Sequence, residues 1–160
     1  MTQSTAPNPT VKPRTAGRHK IETSSLETHG VNGFLDDRQR LIVQIMKLTS
    51  AIDARHHDIV EALTIRFCQQ MVDYLSNGHF QIYSDLFPTT QAITSKREYL
   101  DLDATTQIGM RFNDQFAGQR RINFDILKTC LDELTLALET RFELEDELIT
   151  QHNATLQMSA

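Results

Sequence analysis

The sequence lacks the features that would place the protein in a membrane or outside the cell. No apolar run approaches the ~20 residues that a membrane-spanning helix needs. The segment Met1 to Thr10 is polar, so it does not predict a secretory signal. The two cysteines, Cys68 and Cys130, form no CxxC motif and no Cys/His cluster with zinc spacing. We therefore expect a cytoplasmic protein with reduced thiols.

The motifs of common enzymes and metal sites are missing as well. There is no G-x-S-x-G, no phosphate-binding loop and no dinucleotide fingerprint. A di-iron helical bundle requires Glu-x-x-His motifs, and no glutamate in this chain has a histidine three residues later. His57 and Glu61 are spaced for one helical face, but a single such pair is typical of a solvated surface. We expect no enzymatic activity, no cofactor and no metal.

The charge is acidic and unevenly divided along the 160 residues, a length that fits one domain. Residues 1–33 carry four basic and two acidic side chains, a net of +2. The remaining residues carry 12 basic and 19 acidic side chains, a net of −7. Nucleic acid demands a basic footprint, so this charge favours a basic protein partner, such as a DNA-binding domain. Many acidic proteins, however, use such charge only to stay soluble.

The first 33 residues differ in composition from the rest. They contain three of the four prolines (Pro7, Pro9 and Pro13) and no aromatic residue. Such a segment cannot bury enough apolar surface to offset the entropy of ordering it. We predict a disordered tail over residues 1–33 and a folded domain over residues 34–160.

The apolar spacing in the folded part is helical throughout and predicts an all-α, antiparallel four-helix-bundle-like domain with one short extra helix. The predicted helices run from about 34 to 49, from 51 or 53 to 76, from 79 to 87, from within 89–97 to 116, and from 121 to 152. The predicted inner stripe of the first helix is Leu35, Ile42, Ile45 and Met46, with Leu41 and Leu48 alongside. The third long helix is predicted to bury Leu100, Ala104, Ile108 and Phe112.

Glu145 is the least expected residue of the last helix. On a helical wheel of ~100° per residue it lies near the centre of the apolar stripe. That stripe consists of Leu127, Leu131, Leu134, Leu138, Phe142 and Ile149. A carboxylate in this position must find a partner, become protonated or bend away at the helix end. Arg141 precedes it by one turn, but a single i,i+4 pair does not satisfy a buried carboxylate.

The end of the second helix supplies further candidate partners. Tyr74 lies on its apolar stripe with a hydroxyl that seeks a hydrogen bond when buried. We predict one hydrogen-bonded cluster that holds a binding surface in shape, formed by Asp73, Tyr74, His79, Tyr83, Arg141, Glu145 and Asp146. The alternative is that Asp73, Glu143 and Asp146 are solvated. Only Glu145 would then be half-buried, near a helix end.

The two segments that carry these residues, FCQQMVDYLSNGHFQIY (67–83) and LETRFELEDELI (138–149), together resemble the regulator of sigma D (Rsd/AlgQ) family in spacing and polar positions. The stretch Tyr99–Asp114 resembles the third long helix of the family more weakly. Asp37-Arg38 resembles the start of an Asp-Arg-Trp-Leu element of the family. Gln39 stands at the tryptophan position of that element, and this chain has no tryptophan at all.

This resemblance implies an all-helical anti-sigma factor. Its partner would be the housekeeping sigma factor of RNA polymerase, bound one to one and chiefly through the C-terminal domain that reads the −35 promoter element. Binding there would compete with core polymerase and promoter DNA, without direct contact with nucleic acid. If the family's indole contacts sigma, Gln39 predicts weaker binding or a divergent sigma factor. The alternative is a helical adaptor that has lost sigma binding and meets another regulatory protein.

Overall fold

Four long helices make up most of the described chain. The computed structural model describes residues 18–78, 83 and 94–158. Its helices are α1 (Arg18–Asp53), α2 (His57–Asn77), α3 (Thr94–Phe116) and α4 (Phe124–Met158). No strand occurs within the described ranges. The predicted all-α fold class is confirmed.

The helices form an antiparallel bundle in which each packs on two neighbours. Helix α1 contacts α2 and α4, and α3 contacts the same two helices from the opposite side. Ion pairs show the relative direction of α1 and α4. Arg38 meets Asp146 in the second half of α4, whereas Arg55, just after α1, meets Asp125 at the start of α4. The predicted antiparallel arrangement is therefore confirmed.

Local contacts define where the helices begin and end. The side-chain oxygen of Asn123 accepts hydrogen bonds from the backbone N–H groups of Asp125 (3.0 Å) and Ile126 (3.1 Å), and so caps the start of α4. Helices α1 and α2 are joined by a tight turn in which Arg55 has a φ of 52°, in the left-handed region. Helix α2 consequently begins at His57, later than the sequence analysis predicted.

Helix α1 carries two apolar stripes, and the core takes the one that the sequence analysis did not select. The buried stripe recurs at spacings of three, four and seven and consists of Phe34, Arg38, Leu41, Leu48 and Ile52. Of the predicted stripe, Leu35 and Ile42 are half-buried and Met46 is 66% exposed; only Ile45 packs against the core. The predicted stripe is therefore wrong, because helical spacing alone cannot show which of two stripes meets the other helices.

Helix α3 buries a face that is also displaced from the predicted one. Phe112 is buried as predicted, and Ile108 packs against the core. Leu100 is 57% exposed and Ala104 is exposed, so both were wrongly predicted to be buried. The residue that takes their place in the core is Leu102.

The beginning of α1 lies well before the predicted helix start near Phe34, because the helix begins at Arg18. Residues 18–33 of the predicted tail are helical, whereas residues 1–17 lie outside the described part of the chain. The disorder predicted for residues 1–17 and the domain limit at residue 34 stay predictions. The short helix predicted over residues 79–87 also lies outside it, except Tyr83, which is helical. Within the described ranges, none of the helices combines the length and apolarity that crossing a bilayer requires.

Candidate functional site

A carboxylate with four hydrogen-bond donors lies inside the bundle. Glu145 of α4 is fully buried. Its Oε1 accepts hydrogen bonds from Arg141 Nε at 2.8 Å and from the Tyr83 hydroxyl at 2.5 Å. Its Oε2 accepts one from Arg38 Nη2 at 2.9 Å and another from the Tyr74 hydroxyl. Because an ionised carboxylate offers about four lone-pair sites, these donors fill them and offset the desolvation of the group.

Arg141 connects this carboxylate to α3. Its guanidinium is fully buried, and Nη1 donates to the Leu102 carbonyl (3.2 Å) and the hydroxyls of Thr105 (3.1 Å) and Thr106 (2.8 Å). Both hydroxyls donate in turn to the Leu102 carbonyl, which orients their lone pairs toward the arginine. Nη2 donates to the Tyr83 hydroxyl at 2.7 Å. One turn of α3 therefore binds the guanidinium group of Arg141, a residue of α4.

Arg38 connects the same carboxylate to α1 and to the surface. Besides Glu145, it donates from Nε to the Tyr74 hydroxyl at 3.3 Å and from Nη1 to Asp146 Oδ1 at 2.5 Å. Burial alone would lower the pKa of Arg38, but the hydrogen bond to Asp146 and the negative charge nearby raise it above its ordinary value. The Asp146 side chain is 62% exposed, so the network reaches solvent at this residue.

Aromatic rings surround the charged groups. Phe34 stacks on Tyr74 with ring centroids 4.8 Å apart and meets Tyr83 edge-on at 6.5 Å. Phe142 meets Tyr74 edge-on at 5.9 Å, and the Arg38 guanidinium carbon lies 5.0 Å from the centroid of the Phe142 ring. These contacts add cation–π attraction and shield the ion pairs from water.

The hydroxyls of Tyr74 and Tyr83 act as permanent hydrogen-bond donors to the carboxylate. Burial, followed by the charge of Glu145, raises the pKa of Tyr74 above its ordinary value, and the same two causes raise the pKa of Tyr83. Arg38 and Arg141 respectively oppose these shifts without cancelling them. Both phenols therefore stay protonated at neutral pH and keep donating to the carboxylate.

Gly78 makes room for Tyr83. A Cβ atom added at this glycine would lie 2.9 Å from the Tyr83 hydroxyl and 3.2 Å from Phe34 Cε2. The φ of Gly78 is −55°, an ordinary right-handed value. Glycine is required here for close approach and not for an unusual backbone conformation.

The structure brings together five of the seven residues predicted to form the cluster: Tyr74, Tyr83, Arg141, Glu145 and Asp146. Asp73 is exposed and makes no hydrogen bond or ion pair among the described residues, and Glu143 is likewise exposed. His79 lies outside the described residues. The alternative of solvated carboxylates thus describes Asp73 and Glu143, whereas Asp146 is both exposed and paired. That the cluster supports a binding surface stays a prediction.

The sequence analysis did not assign Arg38, Thr105 or Thr106 to the cluster. Arg38 could have been found, because it follows Phe34 by four residues and precedes Leu41 by three, in the position of a core residue. No comparable signal marks the two threonines, since threonine is common on solvated helix faces.

The arrangement holds helices together and offers little reactive chemistry. The donors and acceptors of the network are engaged with one another; among the described residues, Gln44 Oε1 is the one buried side-chain polar atom without a partner. The described residues contain no group of three or more His, Cys, Asp or Glu side chains placed to hold a metal ion. Burial raises the pKa of Cys68 to about 11, so its thiol is a poor nucleophile at neutral pH.

The family model and the relatives that match this chain all belong to one group of regulators. The family model described as "Regulator of RNA polymerase sigma(70) subunit, Rsd/AlgQ" matches residues 19–153. A protein of Enterobacter sp. (strain 638) named Regulator of sigma D is 32% identical over 127 residues, which cover 74% of this chain and 77% of the relative. A protein of the same name from Yersinia enterocolitica is 28% identical over 146 residues, or 82% and 87% of the two chains. No solved structure gives a significant match.

Proposed function

This chain belongs to the Rsd/AlgQ family of regulators of the RNA polymerase sigma(70) subunit, and on that basis we propose that it is an anti-sigma factor. It binds the housekeeping sigma factor one to one, chiefly through the C-terminal domain that reads the −35 promoter element. Binding there blocks the association of sigma with core polymerase and with promoter DNA. The protein acts by occlusion in the cytoplasm, without catalysis and without touching nucleic acid itself.

The exposed surface of α4 is the observation that carries this proposal. Seven carboxylates of this helix are exposed: Asp125, Asp132, Glu133, Glu139, Glu143, Asp146 and Glu147. The basic residues between positions 122 and 149 are Lys128 and the buried Arg141. A domain that binds DNA is basic, so this surface complements it. Complementary charge chiefly raises the association rate and the specificity, while apolar contacts set the lifetime of the complex.

The polar network supports that surface from below. Glu145 and Arg141 tie α4 to α1 and α3, and the Arg38–Asp146 pair carries the connection to the exposed side of α4. We infer that the network fixes the position of the acidic surface and does not itself contact sigma.

Calorimetric titration with the C-terminal domain of the same organism's housekeeping sigma factor tests the proposal. We expect saturable one-to-one binding that weakens as the salt concentration rises, because surface charges are screened. A parallel assembly assay should show less sigma bound to core polymerase as this protein is added. Absence of binding at high protein concentration would instead favour a helical adaptor for another regulatory protein, an outcome compatible with Gln39 at the tryptophan position.

A further inference from the structure

The outward side of α4, which is turned away from the core, carries an exposed leucine. Leu136 is 66% exposed. Five other leucines of the same helix are buried: Leu127, Leu131, Leu134, Leu138 and Leu148. Nine residues separate Leu136 from the fully buried Glu145, and nine steps of ~100° place the two side chains on opposite sides of the helix. Leu136 therefore lies at the middle of the outward side of α4.

Three exposed carboxylates surround Leu136. Asp132 precedes it by four residues, Glu139 follows it by three and Glu143 by seven, so all of them share its side of the helix. Asp132 pairs with Lys128 of its own helix. Glu139 and Glu143 have no hydrogen-bond or ion-pair partner among the described residues. We call Asp132, Leu136, Glu139 and Glu143 the α4 patch.

The carboxylates on this side of α4 repel one another in the free protein. Glu139, Glu143 and Glu147 follow one another at intervals of four residues, which places like charges one turn apart twice in succession. Like charges at this spacing destabilise a helix, whereas opposite charges stabilise it. Arg141 lies between the first two in sequence but is fully buried and donates to the Leu102 carbonyl of α3. A partner that brings cations to this side of α4 would remove the repulsion.

Cations of the neighbouring helices are engaged away from the α4 patch. Arg38 of α1 binds Glu145 and Asp146, and Arg55, just after α1, binds Asp125 at the start of α4. On the other side of α4, Arg111 of α3 lines a cavity with Glu133. In the part of the chain that the structure describes, Lys128 is therefore the one cation paired with the patch.

We propose that the α4 patch is the contact point for the sigma C-terminal domain. Leu136 enters an apolar depression of that domain, and the three carboxylates pair with Arg or Lys side chains around the depression. The inference rests on the proposed function and names the part of the acidic surface that the partner touches. An apolar anchor surrounded by polar groups is the usual arrangement of a protein interface, since the surrounding contacts keep water away from the anchor.

Charge complementarity selects this occupant over a second copy of the chain. The protein has a formal net charge of −5, so another copy would bring further negative charge to the α4 patch. A domain that reads DNA must instead present Arg and Lys to phosphates. The same cations can meet the carboxylates of the patch, and the unpaired Glu139 and Glu143 are free to receive them.

Two matched pairs of substitutions test the α4 patch. Leu136→Ala removes the anchor, and Ile65→Ala truncates an exposed side chain of α2, the helix diagonally opposite α4. Glu139→Lys reverses a charge of the patch, and Asp73→Lys makes the same change of net charge at an exposed carboxylate of α2. The equal change in net charge removes the general electrostatic attraction from the comparison. Thermal unfolding of all four variants serves as the control for folding.

Calorimetric titration with the sigma C-terminal domain should give a Kd raised by about tenfold or more for Leu136→Ala and Glu139→Lys, since central interface contacts commonly carry such effects. The two α2 variants should stay within about twofold of the unchanged protein, as expected of residues outside an interface. Added salt should weaken binding by the unchanged protein more steeply than binding by Glu139→Lys, because one attractive pair is then missing.

The same titrations can overturn the assignment. Binding by the unchanged protein with equal Kd values for both members of each pair would reject the α4 patch and leave the anti-sigma function standing. Absence of binding by the unchanged protein would reject that function and, with it, this occupant. Self-association abolished by Leu136→Ala, with sigma binding intact, would assign the patch to a second copy of the chain.

Discussion

The two ends of the bundle core are held together by different interactions. At the end where α1 turns into α2, the core is apolar and includes Leu48, Ile52, Val60, Phe116, Phe124 and Leu127. Toward the other end the same four-helix interior contains two arginines, a glutamate and two tyrosine hydroxyls. Both ends exclude water, but they do so with opposite chemistry.

The two ends differ in how their interactions orient the helices more than in how strongly they stabilise the fold. Apolar burial is non-directional, so the apolar end tolerates small shifts of one helix against another. Each hydrogen bond of the network instead requires a particular donor facing a particular acceptor, which specifies how α1, α3 and α4 meet. We propose that the network end fixes the geometry of the surface above it, whereas the apolar end contributes burial without a fixed direction.

Replacing Glu145 with leucine should produce the largest effect. The substitution leaves the buried guanidinium groups of Arg38 and Arg141 without their shared carboxylate. Removal of one partner of a buried ion pair typically destabilises a protein by about 3–5 kcal/mol. Urea denaturation followed by circular dichroism should show this loss. An equal or higher free energy of unfolding would mean that the network contributes nothing to the fold.

Truncating a buried side chain at the apolar end should lower the free energy of unfolding somewhat less. Leu131 is fully buried in the stripe of α4. Leu131→Ala leaves a cavity and should lower the free energy of unfolding by about 3 kcal/mol. We expect sigma binding by the folded protein to be unchanged, since the network is intact. A Kd raised as far as in a network variant would erase the distinction between the two ends.

Removal of one hydroxyl from the network should have an intermediate effect. The Tyr83 hydroxyl accepts from Arg141 and donates to Glu145, so Tyr83→Phe leaves each of these groups one hydrogen bond short. Unsatisfied buried polar groups cost about 1–3 kcal/mol each, and we expect a total loss near 2 kcal/mol because the ring stays in place. Denaturation in urea measures it, and a loss below the experimental error would contradict the assigned hydrogen bonds.

The same variant should change the alkaline stability of the protein. The folded-state pKa of Tyr83 is raised by burial and by Glu145, whereas a tyrosine in the unfolded chain titrates near ~10. Stability from this residue is therefore complete below pH ~10 and declines above it, because the unfolded chain releases a proton that the folded protein retains. Between pH 9 and 10.5, Tyr83→Phe should lose about 0.8 kcal/mol less than the unchanged protein. Equal losses would show that Tyr83 is not buried beside a carboxylate.

The exposed edge of the network should contribute least to stability. Asp146 pairs with Arg38 while its side chain is 62% exposed. Asp146→Asn should lower the free energy of unfolding by only about 0.5 kcal/mol, as is usual for exposed ion pairs. Comparison of melting curves at low and high salt should show this difference shrinking as salt screens the pair. A loss of free energy of unfolding as large as that of Glu145→Leu would mean that the stability of the network depends on Asp146 as much as on Glu145.

The sequence predicted the central features of the network end. A wheel of α4 was enough to identify Glu145, since a carboxylate inside an apolar stripe requires a partner. Tyr74 followed from the same argument on α2, and the fold class followed from the helical spacing of the apolar residues.

Two features could not be predicted from the sequence because they depend on how the helices face one another. Helix α1 has an apolar row at Leu35, Ile42 and Met46 and a second stripe through Leu41 and Leu48, and periodicity fits both. The buried one was identified only by its contacts. Asp73 is adjacent to Tyr74 in sequence, yet one residue is ~100° of helical rotation, enough to place it in solvent.

The most direct test of the account is to compare sigma binding by two variants damaged at opposite ends of the core. Calorimetric titration of the sigma C-terminal domain into the unchanged protein, Tyr83→Phe and Leu131→Ala should be done at a temperature where all three are folded. We predict a Kd raised about tenfold by Tyr83→Phe, equivalent to ~1.4 kcal/mol, and unchanged by the more destabilising Leu131→Ala. Equal Kd values for the two variants would contradict the claim that the polar network, and not core stability in general, shapes the binding surface.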